Sequence, residues 1–362
     1  MNRETAVPLL YRLAIVLLSF LCLFILWKLS PVWKPLLTVF SSVLLPFFIA
    51  AFIAYLLHPF IERIHGLGVP RSLAVLFIYL LFFGGIGWAV YNGFPVILRQ
   101  LRELAEKLPD LINVYREWIR LFYESTADLP EGVHDRFEQL LAAIEENISS
   151  TIEGVLLSLR SIVNNLILIA LIPFIAFYFL KDYKKINRAA WYITPRRWRP
   201  PLIKFLRDAD KTLGNYIRGQ LLVCLFIGVF AFAGLWAAGM PYPLLLAFII
   251  GITNIIPYFG PVIGALPAVI IALTISVKMV IIVIVIIFIL QMLEGNLLSP
   301  LIVGKTLHIH PAAIMFALLL GEQIAGITGL ILAVPAFAVL KTAVLHVHGH
   351  FAAKRRNENG MT

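Results

Sequence analysis

The chain has 362 residues, of which 60% are hydrophobic and only 14% charged, with a mean hydropathy of +0.91. Soluble globular chains carry about 45–50% apolar and about 25% charged residues, so this excess excludes a water-soluble fold, and the same arithmetic excludes disordered, collagenous and disulfide-rich classes. The net charge of +10 would suggest nucleic acid in a soluble protein; in a membrane chain its distribution carries the meaning.

A bilayer core of about 30 Å takes roughly 20 helical residues. Apolar runs of spanning length fall at 9–29, 35–57, 72–98 and 161–180. They are followed by an uncharged stretch of 59 residues at 219–277, a run at 279–293 and a last one at 306–340. The first run begins like a signal peptide. No small-residue cleavage site follows it, however, and Trp27, Lys28, Pro31 and Trp33 mark an interfacial boundary, so it reads as a retained helix. Residues 280–289 are almost all Val and Ile, a strand composition in water. In lipid an open strand leaves its backbone unsatisfied, and a helix is expected. Cys22 and Cys224 lie inside apolar runs and outside any metal-ligand spacing, as small buried hydrophobes do. The expected fold is all-α, a polytopic integral membrane protein of about eight hydrophobic segments.

Two polar segments interrupt these runs with opposite sign. Residues 96–155 hold six Lys/Arg and twelve Asp/Glu, whereas 181–218 hold eleven Lys/Arg and three Asp/Glu. Lys181, Lys184, Lys185, Arg188, Arg196, Arg197 and Arg199 follow a helix end closely, which places 181–218 in the cytoplasm and 96–155 outside. Arg3, the 58–71 loop with Arg63 and Arg71, and the tail with Lys354, Arg355 and Arg356 then fall inside. Both termini are thus expected on the cytoplasmic side of the inner, cytoplasmic membrane. The basic residues suit anionic lipid headgroups, and no nucleic acid is needed to explain them.

The outer segment is itself patterned. Leu98, Leu101, Leu104, Leu108, Leu111, Tyr115, Trp118 and Phe122 recur every three or four residues, an amphipathic helix. Residues 125–132 break it, and Phe137, Leu141, Ile144, Ile148, Ile152 and Val155 form a second stripe. The segment is expected to be a two-helix hairpin whose apolar stripes pack on the membrane core or on other protomers. On the cytoplasmic side, Pro200 and Pro201 open a further helix with a stripe through Leu202, Phe205, Leu206, Ala209, Leu213 and Tyr216. It is expected to lie at the membrane surface before the chain turns in.

These features divide the chain into transmembrane helices over 1–95, the outer hairpin over 96–155, a fourth transmembrane helix over 156–180, the basic segment over 181–218, a core with broken helices over 219–345, and a cytoplasmic tail over 346–362. The core carries the chemistry. As one helix, 219–277 would be roughly 90 Å long at 1.5 Å per residue, far more than one crossing. Met240-Pro241-Tyr242-Pro243 divides it. Pro257, Tyr258, Gly260, Pro261, Gly264 and Pro267 then mark a second break, since each proline removes a backbone donor and the glycines permit turning or close approach. Broken helices at membrane depth must be surrounded by protein or water, and they recur in transport sites.

Along its whole length the sequence resembles the AI-2E (autoinducer-2 exporter) family of bacterial membrane proteins. The resemblance is carried by LLPFFIAAFIAYLLHPFIERI at 44–64, VPRSLAV at 69–75, FYFLKDYKKI at 177–186 and YIRGQLLV at 216–223. More specific are NIIPYFGPVIGALPAV at 254–269 and LEGNLLSPLIVGKTLHIHPAAI at 293–314, with AVPAFAVLK at 333–341. The resemblance implies a homo-oligomeric helical transporter, with a pentamer as one assembly. It also implies export of a small signalling molecule, or sodium/proton exchange.

Between Gly219 and Leu340 the charged residues are Lys278, Glu294, Lys305 and Glu322. The two lysines sit near segment ends and are expected to snorkel. An ionisable group at membrane depth is a functional-site candidate by default, which singles out Glu294 and Glu322. A carboxylate in a partly dry cavity can carry a proton. With oxygens from Asn254, Asn296, Ser299 and the carbonyls near Pro257 it can also hold a hard cation such as sodium. The alternative for Glu294 is an interfacial acid paired with Lys305. Gly321 and Gly326 mark a break around Glu322. The runs 243–277 and 312–340 are each longer than one crossing needs and end alike. Each either crosses fully with a kink or forms a re-entrant hairpin, and the two options put residues 300–311 on opposite sides.

No Walker A loop, His-Glu-x-x-His or Gly-x-Ser-x-Gly is present, which disfavours an ATP-driven pump or a hydrolase. No cofactor and no resident metal are expected; His346, His348 and His350 read as a solvated tail. A coupled transporter is the favoured reading, with a passive oligomeric channel and a non-transporting scaffold as alternatives.

Overall fold

The structure, a computed structural model, describes residues 3–125, 166–183, 199–303 and 310–359, with isolated positions between them. The second outer stripe, residues 126–132 of the break and Lys305 lie outside the described residues. Every regular element among the described residues is a helix, and five are long and apolar enough to cross a membrane.

In chain order these are α1 (Arg3–Lys28), α2 (Ser30–Gly66), α3 (Arg71–Ser125), α4 (Leu166–Lys181), α5 (Arg199–Ala237), α6 (Pro243–Thr253), α7 (Phe259–Leu273) and α8 (Val277–Leu293). A π-helix over Glu294–Val303 and α9 over Pro311–Asn359 complete the series. α9 has two arms, 311–324 and 327–359, separated by non-helical Ala325 and Gly326. The Val/Ile run is helical as expected: α8 starts at Ser276, whose hydroxyl accepts the Met279 N–H at 3.1 Å.

Two junctions differ from the sequence reading. α3 passes without interruption from its apolar part into the amphipathic stripe, so residue 96 is no boundary of secondary structure. Its 55 residues span roughly 80 Å at 1.5 Å per residue, well beyond one bilayer. α5 likewise runs straight from Arg199 to Ala237. No turn separates the expected surface stretch from the span, because 213–221 holds no proline to interrupt the ladder.

The chain folds as two compact units, Met1–Leu76 with Asn165–Tyr183, and Phe77–Asn164 with Lys184–Thr362. In the first, α2 buries Ala50, Ala54, Leu57 and Ile61 along one face, and α4 buries Ile175, Ala176 and Leu180. Arg71, counted above as a loop charge, ties this unit together. Its guanidinium sits 2.8 Å from the Glu62 carboxylate and 5.9 Å from the Tyr183 ring centre, and it donates to the Leu180 carbonyl at 3.4 Å.

The second unit is arranged along α5. Its Ala237 end packs Ala231 and Leu235 with Met240, Tyr242, Leu245 and Leu246 at the mouth of an α6–α7 hairpin. Further along, Gly228 meets Gly251 of α6 with so little room that a methyl on Gly251 would stand 3.1 Å from the Gly228 Cα. The tip of the hairpin reaches Gln220, which donates to the Asn254 carbonyl at 2.8 Å. That is 17 residues before Ala237, or roughly 25 Å along the axis. Tyr216 and Ile256 then share a core with Ala317, Leu318, Ala333 and Val334 from the two arms of α9. At the far end His346 contacts the Asp208 carboxylate at 2.9 Å.

Both interrupted runs are therefore hairpins. α6 and α7 have 11 and 15 residues, roughly 16 and 22 Å, so neither crosses alone. A methyl on Gly260 would overlap the Thr253 carbonyl, and one on Gly264 would stand 2.5 Å from Thr253 Oγ1. The two helices touch backbone to backbone. In α9, a methyl on Gly321 would stand 2.5 Å from the Gly329 carbonyl oxygen. The turn uses Gly326 at φ 57°, ψ −137°, a conformation that glycine alone adopts without strain. The first hairpin opens toward the Ala237 end of α5 and the second toward the Asp208 end, so they enter the unit from opposite directions.

Candidate functional site

The first hairpin's tip is confined to residues 254–258. Phe259 donates to the Pro257 carbonyl at 2.8 Å, closing a γ-turn on Tyr258, which has φ 67° and ψ −44°. This is the rarer, strained turn form, and a non-glycine residue in it points to a constrained site. Of the residues expected to break the helix, Pro257 and Tyr258 do so. Pro261 lies in the first turn of α7 and Pro267 inside it, while Gly260 and Gly264 form the packing face rather than a break. In the second hairpin Gly326 makes the turn, and Gly321 is again a packing residue.

Asn254 sits at the start of this turn, 1% exposed. Its carbonyl is held by Gln220, yet neither side-chain Nδ2 nor Oδ1 has a formed hydrogen bond among the described residues. Glu294 opens the π-helix directly after α8. Asn254 and Gln291 flank its carboxylate, while Oε2 is buried without a formed hydrogen bond. Cys224, one turn from Gln220 on α5, faces the same carboxylate. A buried amide without a formed hydrogen bond costs about 1–3 kcal/mol, and Asn254 bears that cost within reach of the Glu294 carboxylate. The π-helix, a rare element associated with functional positions, aims Glu294 and Leu298 inward. Leu298 is 8% exposed, whereas Asn296 is exposed and Ser299 half-buried.

The structure thus brings together Asn254 and Glu294 from the sequence candidates. It leaves Asn296 turned out to solvent. Glu322 is exposed near the second tip, where Gln323 donates to it at 2.8 Å, outside the Asn254–Glu294 cluster. Gln220, Gln291 and Cys224 were not among the candidates. Their signal was present: Gln220 opens a long uncharged run, and Gln291 stands one turn before Glu294 in an otherwise apolar helix. His346 is held by Asp208 and by an edge-on contact with Phe205, 5.8 Å between ring centres.

The model of the AI-2E family transporter matches residues 13–349. Over 343 residues the chain is 48% identical to YrrI of Bacillus subtilis, covering 95% of this chain and 97% of that protein. YueF of the same organism is 35% identical over 92% of this chain and 91% of its own. PerM of Escherichia coli K12 is 26% identical over 85% and 88%. The first two are named as transport proteins and the third as a permease. With its several apolar helices and its match over nearly the full length, the chain is a multi-pass membrane transporter that belongs to the AI-2E family.

Proposed function

We propose that the chain is a secondary transporter that couples movement of a small polar solute to protons or sodium ions bound between Asn254 and Glu294. The observation that carries this reading is the buried Asn254 side chain, without a formed hydrogen bond among the described residues, at a strained hairpin tip beside the acid Glu294. The carboxylate can take up and release a proton. The Asn254 and Gln291 amide oxygens and the carboxylate also offer the hard oxygen donors that a small cation takes. Two hairpins entering from opposite directions, with Ile256 at the tip of the first packed among the arms of the second, suit a single site that is reached from either side in turn. Export of autoinducer-2 and sodium/proton exchange, the activities associated with this family, both fit such a site. The charge asymmetry of the loops supports a cytoplasmic-membrane protein with both termini inside.

The test is flux in proteoliposomes, with a pH-sensitive dye inside the vesicles and a sodium gradient imposed. The parent protein dissipates the gradient, and Glu294→Gln loses the response by at least tenfold, about the effect of removing the group that carries the charge. Flux in Glu294→Gln equal to that of the parent would overturn the coupling, and flux indifferent to both gradients would indicate a passive channel.

A further inference from the structure

α3 is joined to both arms of the first hairpin by side chains that its own helix does not use. The Leu245 N–H lies in the first turn of α6, where it has no helical acceptor; it donates to Gln100 Oε1 at 2.8 Å. The Ile270 carbonyl lies in the last turn of α7, and the Thr274 N–H that would normally reach it turns instead to Ile271. Tyr115 Oη donates to that Ile270 carbonyl at 2.6 Å. The two attachments are 15 residues apart on α3, roughly 22 Å, and Leu101, Leu104 and Ala105 pack on the same core between them. Two attachments, one on each arm, add to the packing on α5 in holding the hairpin's tilt and depth.

Depth is what the site needs. α6 lies directly on α5 at Gly251, whose added methyl would stand 3.2 Å from the Cys224 carbonyl and 3.1 Å from the Gly228 Cα. A slide of α6 along α5 therefore separates Asn254 from Gln220 and disturbs the Gln220 and Glu294 surroundings of the Cys224 thiol. We infer that Gln100 and Tyr115 are positioning residues of the transport site: they satisfy one orphaned backbone group on each arm of the first hairpin and so keep Asn254 in register with Gln220 and Glu294. This rests on the proposed site between Asn254 and Glu294, but it is tested without any transport assay.

Cys22→Ser leaves Cys224 as the one thiol, since the chain has two cysteines. The readout is the rate at which a membrane-permeant maleimide labels it, in vesicles of phosphatidylcholine and phosphatidylglycerol well below the unfolding temperature. Gln100→Leu with Tyr115→Phe is expected to raise the rate about tenfold, as loss of two ordinary hydrogen bonds from a local opening equilibrium would. Each single variant gives about threefold by the same reasoning. Gln100→Glu keeps an acceptor for the Leu245 N–H and labels at the parent rate. Parent-rate labelling in the single and double variants would overturn the proposal. So would Gln100→Glu labelling as fast as Gln100→Leu, which would assign the effect to bulk packing. A parent that carries no coupled flux would refute the transport reading instead, and would leave these rates unaffected.

Discussion

At the scale of single residues the site is built by small groups as much as by charged ones. Gly260, Gly264, Gly321 and Gly329 let helix backbones touch, and an added methyl at any of them meets backbone or a held side chain. Gly321→Ala and Gly329→Ala are each expected to lower stability by about 1–3 kcal/mol, the usual effect of overpacking. Gly295→Ala, with nothing within 4 Å, should stay within about 0.5 kcal/mol of the parent. Unfolding midpoints in lipid nanodiscs compare the three, and equal midpoints would refute the tight packing. Glu294 and Asn254 were legible in the sequence because a charge or an amide in an apolar run stands out. Whether a glycine turns the chain or packs it was not legible: Gly326 and Gly321 look alike in sequence, and only the facing strand of backbone separates them.

At the scale of elements, the prolines separate into two kinds. Pro257 belongs to the turn itself, whereas α7 continues through Pro267. Pro267→Ala restores a backbone donor inside a helix and is expected to keep flux within about twofold of the parent with no loss of stability. Pro257→Ala relaxes the tip and should reduce flux markedly, as measured in the same vesicle assay. Equal loss in both would return Pro267 to the break. α3 shows why element boundaries were less legible than elements. The amphipathic stripe was expected and is present, with Leu101 and Leu108 buried. Its partner turns out to be the first hairpin of the same chain, and Ile112, 5% exposed, belongs to the buried face while Trp118 faces out. A period of 3.6 fixes a face to within a residue or so, but continuity with the preceding span depends only on the absence of a breaker, and Pro95 and Pro109 proved insufficient to break it.

At the scale of the whole molecule, the second hairpin's direction sets the side on which the residues before it emerge. Its arms pair Ile314 with Phe337 in one core, and the longer arm continues to His346 beside Asp208. Pro311 therefore lies at the same end as the start of α5. In a cysteine-free background, Ala312→Cys and Lys204→Cys, both exposed, are expected to react with an impermeant maleimide from one and the same side of the membrane. Labelling from opposite sides would show that residues 312–340 cross fully. Charge could not make this choice, because both topologies return the C-terminus to the same side.

By itself the sequence determined the solvent, the helical class, the family and the unusual acids. Each follows from local composition: apolar runs of bilayer length must be helical where no water can satisfy the backbone, and a charge among them is conspicuous. The tertiary structure decided that both interrupted runs fold back as opposed hairpins, that Asn254 meets Glu294 while Glu322 stands apart, and that Gln100 and Tyr115 reach the hairpin from α3. Those outcomes depend on contacts between residues as many as 155 positions apart. They are set by which backbones can approach closely and which orphaned N–H and C=O groups find a partner, and neither property is written in the local pattern.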